Sequence, residues 1–410
     1  MSERVYRSLH SLLLACAAIA ASATAYAQVR PLPPSPVCVD NSTGTNCTNG
    51  GGGAVVAAGA RSVKWNPGHY VRADEQFWKS KQSQRYAVYE TIRSVPQVKG
   101  AVFAVNWGMV ENQRGVYDWS QVDAEINYLA AMGKKAILDL WYLGFNGDVP
   151  ATPQSSDGRY VGDYLIADGC VSRVTYGGYG ARLDIARCMD RWLAFIQAVA
   201  QRYDSNPNVE SVHISETSTS MEGQNNDELA NQWYRVPPVL KAAFAQTHTV
   251  LHNNFLTSVP KSRELTALMV SNGVGMGGPD IIGVFTLPQD PNQDNWGALE
   301  IRGAGNVPGV GTFGTVDNRR TVPSSWEAQV VRPDNLTPAD VNNYANSMLR
   351  SNHTVWTAYY GYSPSQYGGT KQIPTMRWDG AGGVLEYLKL ASSAVSNTAC
   401  PTVFNGGCHP

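Results

Sequence analysis

Charge is scarce in this 410-residue sequence: 32 Lys and Arg stand against 33 Asp and Glu, a charged fraction of 16% and a formal net charge of −1. Such a balance builds no basic face, so neither nucleic acid nor an anionic membrane surface is an expected partner. Past the opening segment, no apolar run reaches the ~18–20 residues that a membrane-spanning helix needs. The seven histidines contain neither HxH nor HExxH, and no two cysteines form CxxC. A catalytic metal, a zinc ribbon and a thioredoxin-like site therefore lack their ligand spacing, and no cofactor is expected. GxSxG is missing, which removes the usual support for serine-based acyl transfer. No Gly-rich phosphate turn joins a predicted strand to a predicted helix, and no repeat of fixed period is visible.

What is present begins with "MSERVYRSLHSLLLACAAIAASATAYAQ". Arg4 and Arg7 form a positive start, residues 12–21 an apolar centre, and Ala25-Tyr26-Ala27 a small-x-small cleavage signal. The segment reads as a secretory signal peptide over residues 1–27, with lipidation at Cys16 as the rival reading. The chain is expected to be exported, periplasmic or secreted. Six cysteines then remain: Cys38, Cys47, Cys170, Cys188, Cys400 and Cys408. An even number in an exported chain suggests disulfides, and proximity suggests 38–47, 170–188 and 400–408 among 15 possible connectivities. Residues 28–60, rich in Pro, Gly, Asn and Ser, read as a linker or arm. Residues 396–410 read as a tail closed by Cys400–Cys408.

Between them, β-rich runs alternate with helical patterns. Eight candidate strands are read at 62–66, 100–107, 135–142, 210–215, 249–255, 280–287, 321–328 and 354–361. Helices are read after Ser120, where Val122, Ile126 and Leu129 share one face and Gly133 ends the run. A second runs from Ile185 to Tyr203, and a third starts at Thr337 with Pro338 at its first position and Asp340 three residues after the cap. Alternation of this kind implies parallel strands with right-handed crossovers, and eight strands suggest a closed (β/α)₈ barrel over residues 61–395, ahead of a doubly wound open sheet.

A barrel builds its site at the strand C-terminal ends. The fourth predicted strand ends at Glu216 and the seventh at Glu327, 327 − 216 = 111 residues apart. Two carboxyls pointing at one ligand from facing rims suit glycosidic-bond cleavage. Eleven Trp and 20 Tyr among many Asn, Gln and Ser suit sugars, whose apolar faces stack on rings and whose hydroxyls need neutral partners.

The chain resembles the clan A glycoside hydrolases, retaining (β/α)₈ enzymes, over about residues 61–395. The resemblance rests on Glu216, Glu327 and "NWGMVENQRGVYDWSQVDAEINYLAAMGKKAILDL" (106–140), in which Trp107, Glu111, Gly115, Tyr117, Asp118 and Trp119 follow that clan's layout after strand two. It implies Glu216 as acid/base, Glu327 as nucleophile, and Trp356 as the aromatic beneath the sugar. Two positions depart from the pattern: Ser215 stands where the clan has Asn, and Phe285 and Thr286 stand where it offers Tyr or His. Candidate sugar contacts are Trp356, Asn253, Asn254, His69, Trp107, Trp141 and Ser215, with Trp65 and Trp326 as further strand-end aromatics. Glu111 and Asp139 read as structural, Glu300 as a stand-in nucleophile, and Arg319, Arg320 or Arg332 as ion-pair partners for Glu327. The expected function is an exported retaining glycoside hydrolase acting on a poly- or oligosaccharide. A non-catalytic carbohydrate-binding barrel and an adhesive surface protein are the alternatives.

Overall fold

The computed structural model describes residues 38–41, 44–47, 62–73, 81–144, 159–174, 178–217, 221–253, 256–278, 281, 321–328, 337–347, 349–358 and 378–410. The expected signal peptide lies outside these residues, as do most of the arm, Asn254, Phe285, Thr286, Glu300, Arg319, Arg320 and Arg332. The chain divides into two units, residues 1–59 and 60–410. In the first, Cys38–Asn41 and Gly44–Cys47 pair antiparallel with Cys38 opposite Cys47; their side chains are not among those described.

The second unit is a closed barrel of eight parallel strands that follow one another in chain order. They are β1 (Gly68–Arg72), β2 (Val98–Asn106), β3 (Lys135–Trp141), β4 (Val209–Ile214), β5 (His248–His252), β6 (Gly275–Gly278), β7 (Ser324–Ala328) and β8 (His353–Thr357), with β8 pairing back onto β1. The principal helices between and after them are α1 (Gln82–Ile92), α2 (Ser120–Ala131), α3 (Ala186–Tyr203), α4 (Asn226–Trp233), α5 (Val236–Ala243), α6 (Val259–Asn272), α7 (Pro338–Ser347) and α8 (Val384–Leu388). No described helix is long and apolar enough to cross a membrane.

Two apolar layers hold this together. Tyr70, Val102, Ile137 and Val355 form a small cluster, one residue from each of four strands, that fills the barrel interior. A much larger cluster lies between the strands' outer faces and the helices. In α3 the residues expected at helical spacing (Met189, Trp192, Leu193, Ile196, Val199, Ala200 and Tyr203) are buried on that outer layer. A Cys170–Cys188 disulfide ties the first turn of α3 to the preceding loop. At α7 the capping box is reciprocal: the Thr337 backbone N–H donates to Asp340 Oδ2 at 2.8 Å, and the Asp340 N–H donates to Thr337 Oγ1 at 3.2 Å.

Six strands lie within a few residues of where alternation places them. The other two are corrections. The run at 62–66 is not the first barrel strand; Val63–Lys64 instead pairs with Cys408–His409 below the barrel, and the barrel strand is Gly68–Arg72. Pro67, unable to donate to a ladder, separates the two. The sixth strand is Gly275–Gly278, ahead of the apolar run at 280–287. Its glycines are required by close strand approach: a Cβ on Gly277 would sit 2.3 Å from the Ser325 carbonyl oxygen. A strand built of "GMGG" carries no β-branched signal.

Candidate active site at the strand C-terminal ends

Alternation along each strand settles which side chains enter the barrel. With Tyr70, Val102, Ile137 and Val355 inside, the residues two further along face inward as well, which brings Arg72, Ala104, Asp139 and Thr357 to the next level. The same parity, carried through the register of β3 with β4, β4 with β5 and β7 with β8, adds His213, His252 and Glu327. Thus a polar layer caps an apolar one.

Arg72 organises that layer. Its Nη2 donates to Asp139 Oδ2 at 2.7 Å, and its Nε donates to Glu327 Oε1. All three side chains are buried, at 2%, 2% and 7% exposure. Ions so desolvated persist only when paired with good geometry, and one guanidinium fork here serves two carboxylates. Asp139 Oδ2 also accepts from Trp141 Nε1 at 2.6 Å, which fixes the Trp141 ring at the end of β3. Arg72 is thus an ion partner of Glu327; the downstream arginines lie outside the described residues. Sequence reading missed it because the first strand was placed before Pro67, leaving Arg72 in a presumed loop.

Glu216 lies two residues past Ile214, the last residue of β4, and is half-buried. Its backbone is clamped from both sides. Ser215 N donates to Leu140 O on β3 at 3.1 Å, and Thr217 N donates to His252 O on β5 at 3.0 Å. The Tyr142 hydroxyl donates to the Glu216 carbonyl at 2.8 Å. Burial, with Glu216 nearby, holds the Tyr142 phenol well above its usual range, so it keeps the proton it donates.

Beside this clamp, His213 and His252 lie with ring centroids 5.4 Å apart. Burial lowers His252 to about 4, against the pull of Asp139, and takes His213 well below the usual imidazole range, helped by the neighbouring histidines and Arg72. Both rings are neutral near pH 7. Asn106 Oδ1, Asp139 Oδ1, His213 Nε2 and Ser215 Oγ are buried polar atoms on the inner strand faces with no protein partner.

Four of the expected contacts face elsewhere and are corrections. Trp356 is fully buried on the outer face of β8, packed on Tyr387 with ring centroids 6.2 Å apart, and its Nε1 donates to His69 Nδ1 at 3.0 Å. His69, on the outer face of β1, meets Ser393 O through Nε2 at 2.6 Å. Asn253 is buried, with its amide donating to Ser262 O at 2.9 Å and Thr266 Oγ1 at 3.0 Å on α6. Trp107 is buried against Trp192 and Phe195, and its Nε1 donates to Glu111 Oε2 at 2.7 Å. None of these four is placed to meet a sugar. Glu111 also accepts from Gly115 N at 2.7 Å and the Tyr164 hydroxyl at 3.0 Å, so it shapes the loop after β2. Of the further aromatics, Trp326 is buried with its Nε1 on Ser324 Oγ, and Trp65 lies under the barrel's other end against His248 and His353. Trp141 and Ser215 stay on the inner face beside the carboxylates.

No protein-family model matches the chain, and no curated protein matches it. Similar solved structures include a β-galactosidase from the psychrophilic Marinomonas ef1, at 10% identity and TM-score 0.46, over 80% of this chain and 59% of that one. An exo-β-1,4-mannosidase from Opitutaceae bacterium strain TAV5 aligns at 11% identity and TM-score 0.46, over 81% of this chain and 59% of that one. The endo-β-1,4-mannanase from Thermotoga petrophila aligns at 11% identity and TM-score 0.44, over 84% and 78%. The chain spans less than two thirds of the length of the first two.

Proposed function

We propose that this protein is an exported glycoside hydrolase that cleaves a poly- or oligosaccharide with retention, using Glu216 as acid/base and Glu327 as nucleophile. The observation that carries the reading is the placement of Glu327 on the inner face of β7 at its C-terminal end, bound by Arg72, with Glu216 clamped at the end of β4 on the same rim. In the first step Glu327 attacks the anomeric carbon while Glu216 gives its proton to the glycosidic oxygen, which leaves as an alcohol. In the second, Glu216 takes a proton from water, the hydroxide attacks the same carbon, and Glu327 is released. Arg72 holds the Glu327 carboxylate in place as its counter-ion. With both carboxylates ionised, the Arg72–Asp139–Glu327 trio bears one formal negative charge, which favours the positive character that develops at the sugar ring. The sugar hydroxyls would partner Asn106 Oδ1, Asp139 Oδ1, His213 Nε2 and Ser215 Oγ. Trp141 is the aromatic best placed for ring contact.

Disulfides at Cys170–Cys188 and Cys400–Cys408 support export to an oxidising compartment. The test is product stereochemistry and trapping. With an activated 2-deoxy-2-fluoro glycoside of a cleaved sugar, mass spectrometry of the digested protein is expected to find the label on Glu327, and NMR of early product to find the anomeric configuration kept. Inverted product, or full activity in Glu327→Gln, overturns the assignment. Ser215, shorter than the Asn of the clan and with its hydroxyl unpartnered, favours one second reading, a carbohydrate-binding barrel without turnover. Glycan binding with no hydrolysis on long incubation would establish it.

A further inference from the structure

The barrel has a second polar centre at its other end, where the strands begin. Glu210 of β4, His248 of β5 and His353 of β8 converge there, with one ligating atom from each lying within 4.8 Å of the others. All three are at most 1% exposed. Among the described residues this is the one group of three or more such side chains with that spacing. It is separated from Arg72 and Glu327 by the apolar cluster of Tyr70, Val102, Ile137 and Val355.

The hydrogen bonds around the cluster fix how its atoms point. His248 Nδ1 lies 3.3 Å from the Lys64 carbonyl oxygen. A carbonyl only accepts, so Nδ1 carries the hydrogen and Nε2 presents a lone pair; that Nε2 is buried and has no partner. Metal-binding histidines are commonly held in this way, with the far ring nitrogen donating to a carbonyl. Glu210 is held by Asn66, whose backbone N–H donates to Oε1 at 2.6 Å and whose amide donates to Oε2 at 2.8 Å. His353 Nε2 lies 3.2 Å from Glu210 Oε1. That contact is a hydrogen bond to a carboxylate, so an ion would take the place of its proton. Two atoms sharing a tetrahedral ion at about 2.0–2.2 Å stand roughly 3.3–3.6 Å apart, and the 3.2 Å separation is close to that.

We propose that Glu210, His248 and His353 bind one structural divalent transition-metal ion of the zinc class at the barrel floor. Two imidazole nitrogens and one carboxylate oxygen, with no thiolate, suit zinc or cobalt better than calcium or magnesium, which prefer all-oxygen shells. A structural role follows from the position. The site lies at the strand N-terminal ends and is closed below by Trp65, whose ring centroid is 5.2 Å from His248 and 5.3 Å from His353. Trp65 is itself held by the C-terminal tail, its Nε1 donating to Thr398 O at 3.0 Å. An ion here would join β4, β5 and β8 across the barrel. The inference does not rest on the glycosidase reading.

The experiment uses the full disulfide-bonded chain. Elemental analysis after purification without chelator is expected to find about one zinc per chain. Stripping with a chelator should lower the melting temperature, and zinc chloride alone should restore it by about 5 °C at a hundredfold excess over Kd. Cobalt(II) added to the stripped protein should give the visible d–d bands of a four-coordinate nitrogen/oxygen site. His248→Gln and His353→Gln should each abolish both signals. No stoichiometric zinc together with no cobalt spectrum in the wild-type chain overturns the proposal, whether or not the variants fold. Metal binding that survives both substitutions overturns it too.

Discussion

Arg72 and Glu327 join across an intervening strand: the last residue of β1 reaches past β8 to a carboxylate on β7. The contact ties the seam where the barrel closes to the candidate nucleophile, so stability and activity are coupled through one side chain. Arg72→Ala should leave two buried carboxylates without their shared cation and cost about 3–5 kcal/mol in chemical denaturation. Arg72→Lys keeps the charge but loses the fork, since a single ammonium cannot match the Nε and Nη2 geometry. It should recover part of the stability while kcat stays well below wild type. Equal kcat in Arg72→Lys and wild type would show that the fork does not position Glu327.

The role given to Glu216 is tested by the leaving group. General acid catalysis contributes about 10²–10⁴-fold where the departing oxygen needs a proton. Glu216→Gln should therefore lose that much kcat/KM on a natural glycan and far less kcat/KM on an aryl glycoside whose phenolate leaves unaided, kcat/KM reporting the first step before water is activated. A uniform loss across leaving groups would remove Glu216 from proton transfer.

Part of the acid sensitivity should arise outside the active site, at His69. Trp356 N–H points at Nδ1 and the Ser393 carbonyl faces Nε2, so the ring fits as the neutral Nε2–H tautomer. Burial lowers its pKa from 6.5 to about 4. Below 6.5 the unfolded chain takes up a proton that the native chain refuses. Stability is therefore full above 6.5 and falls as pH drops toward 4, by about 3 kcal/mol from this residue. His252, also lowered to about 4, adds to the same window. Glutamine offers a donor and an acceptor without titrating, so the melting temperature of His69→Gln should fall less steeply between pH 7 and 4. An unchanged slope would acquit His69.

The Cys170–Cys188 bond closes a separation of 18 residues. A loop near that size restricts the unfolded chain by about 3 kcal/mol. Cys170→Ser with Cys188→Ser should lower the denaturation free energy by that order while leaving kcat nearly intact, since α3 packs outside the barrel. A large fall in kcat at matched folded fraction would show that the loop before α3 reaches the substrate.

The barrel was legible because alternating runs are local signals. Glu216 and Glu327 could be named once strands four and seven were placed. Arg72 could not, since Pro67 made the preceding run look like the first strand. β6 gave no signal because the close approach of Ser325 demands glycine where a β-branched residue would have marked it. The aromatic contacts failed for another reason. Strand side chains alternate, so a correct strand with no fixed phase still leaves inside and outside undecided. Trp356 and Val355 are adjacent, yet one packs on Tyr387 and the other fills the barrel. Only the ring of neighbouring strands sets that phase.

The pairing of residues 63–64 with 408–409 has a practical consequence. Both ends of the barrel unit lie side by side beneath the strand N-terminal ends, on the pole away from Glu216 and Glu327. Anchoring the molecule to a solid support through Pro410 would turn its carboxylate rim toward solution. Circularly permuted versions, with those ends spliced and new ones opened in a surface loop, should keep the ring of strands in its present order.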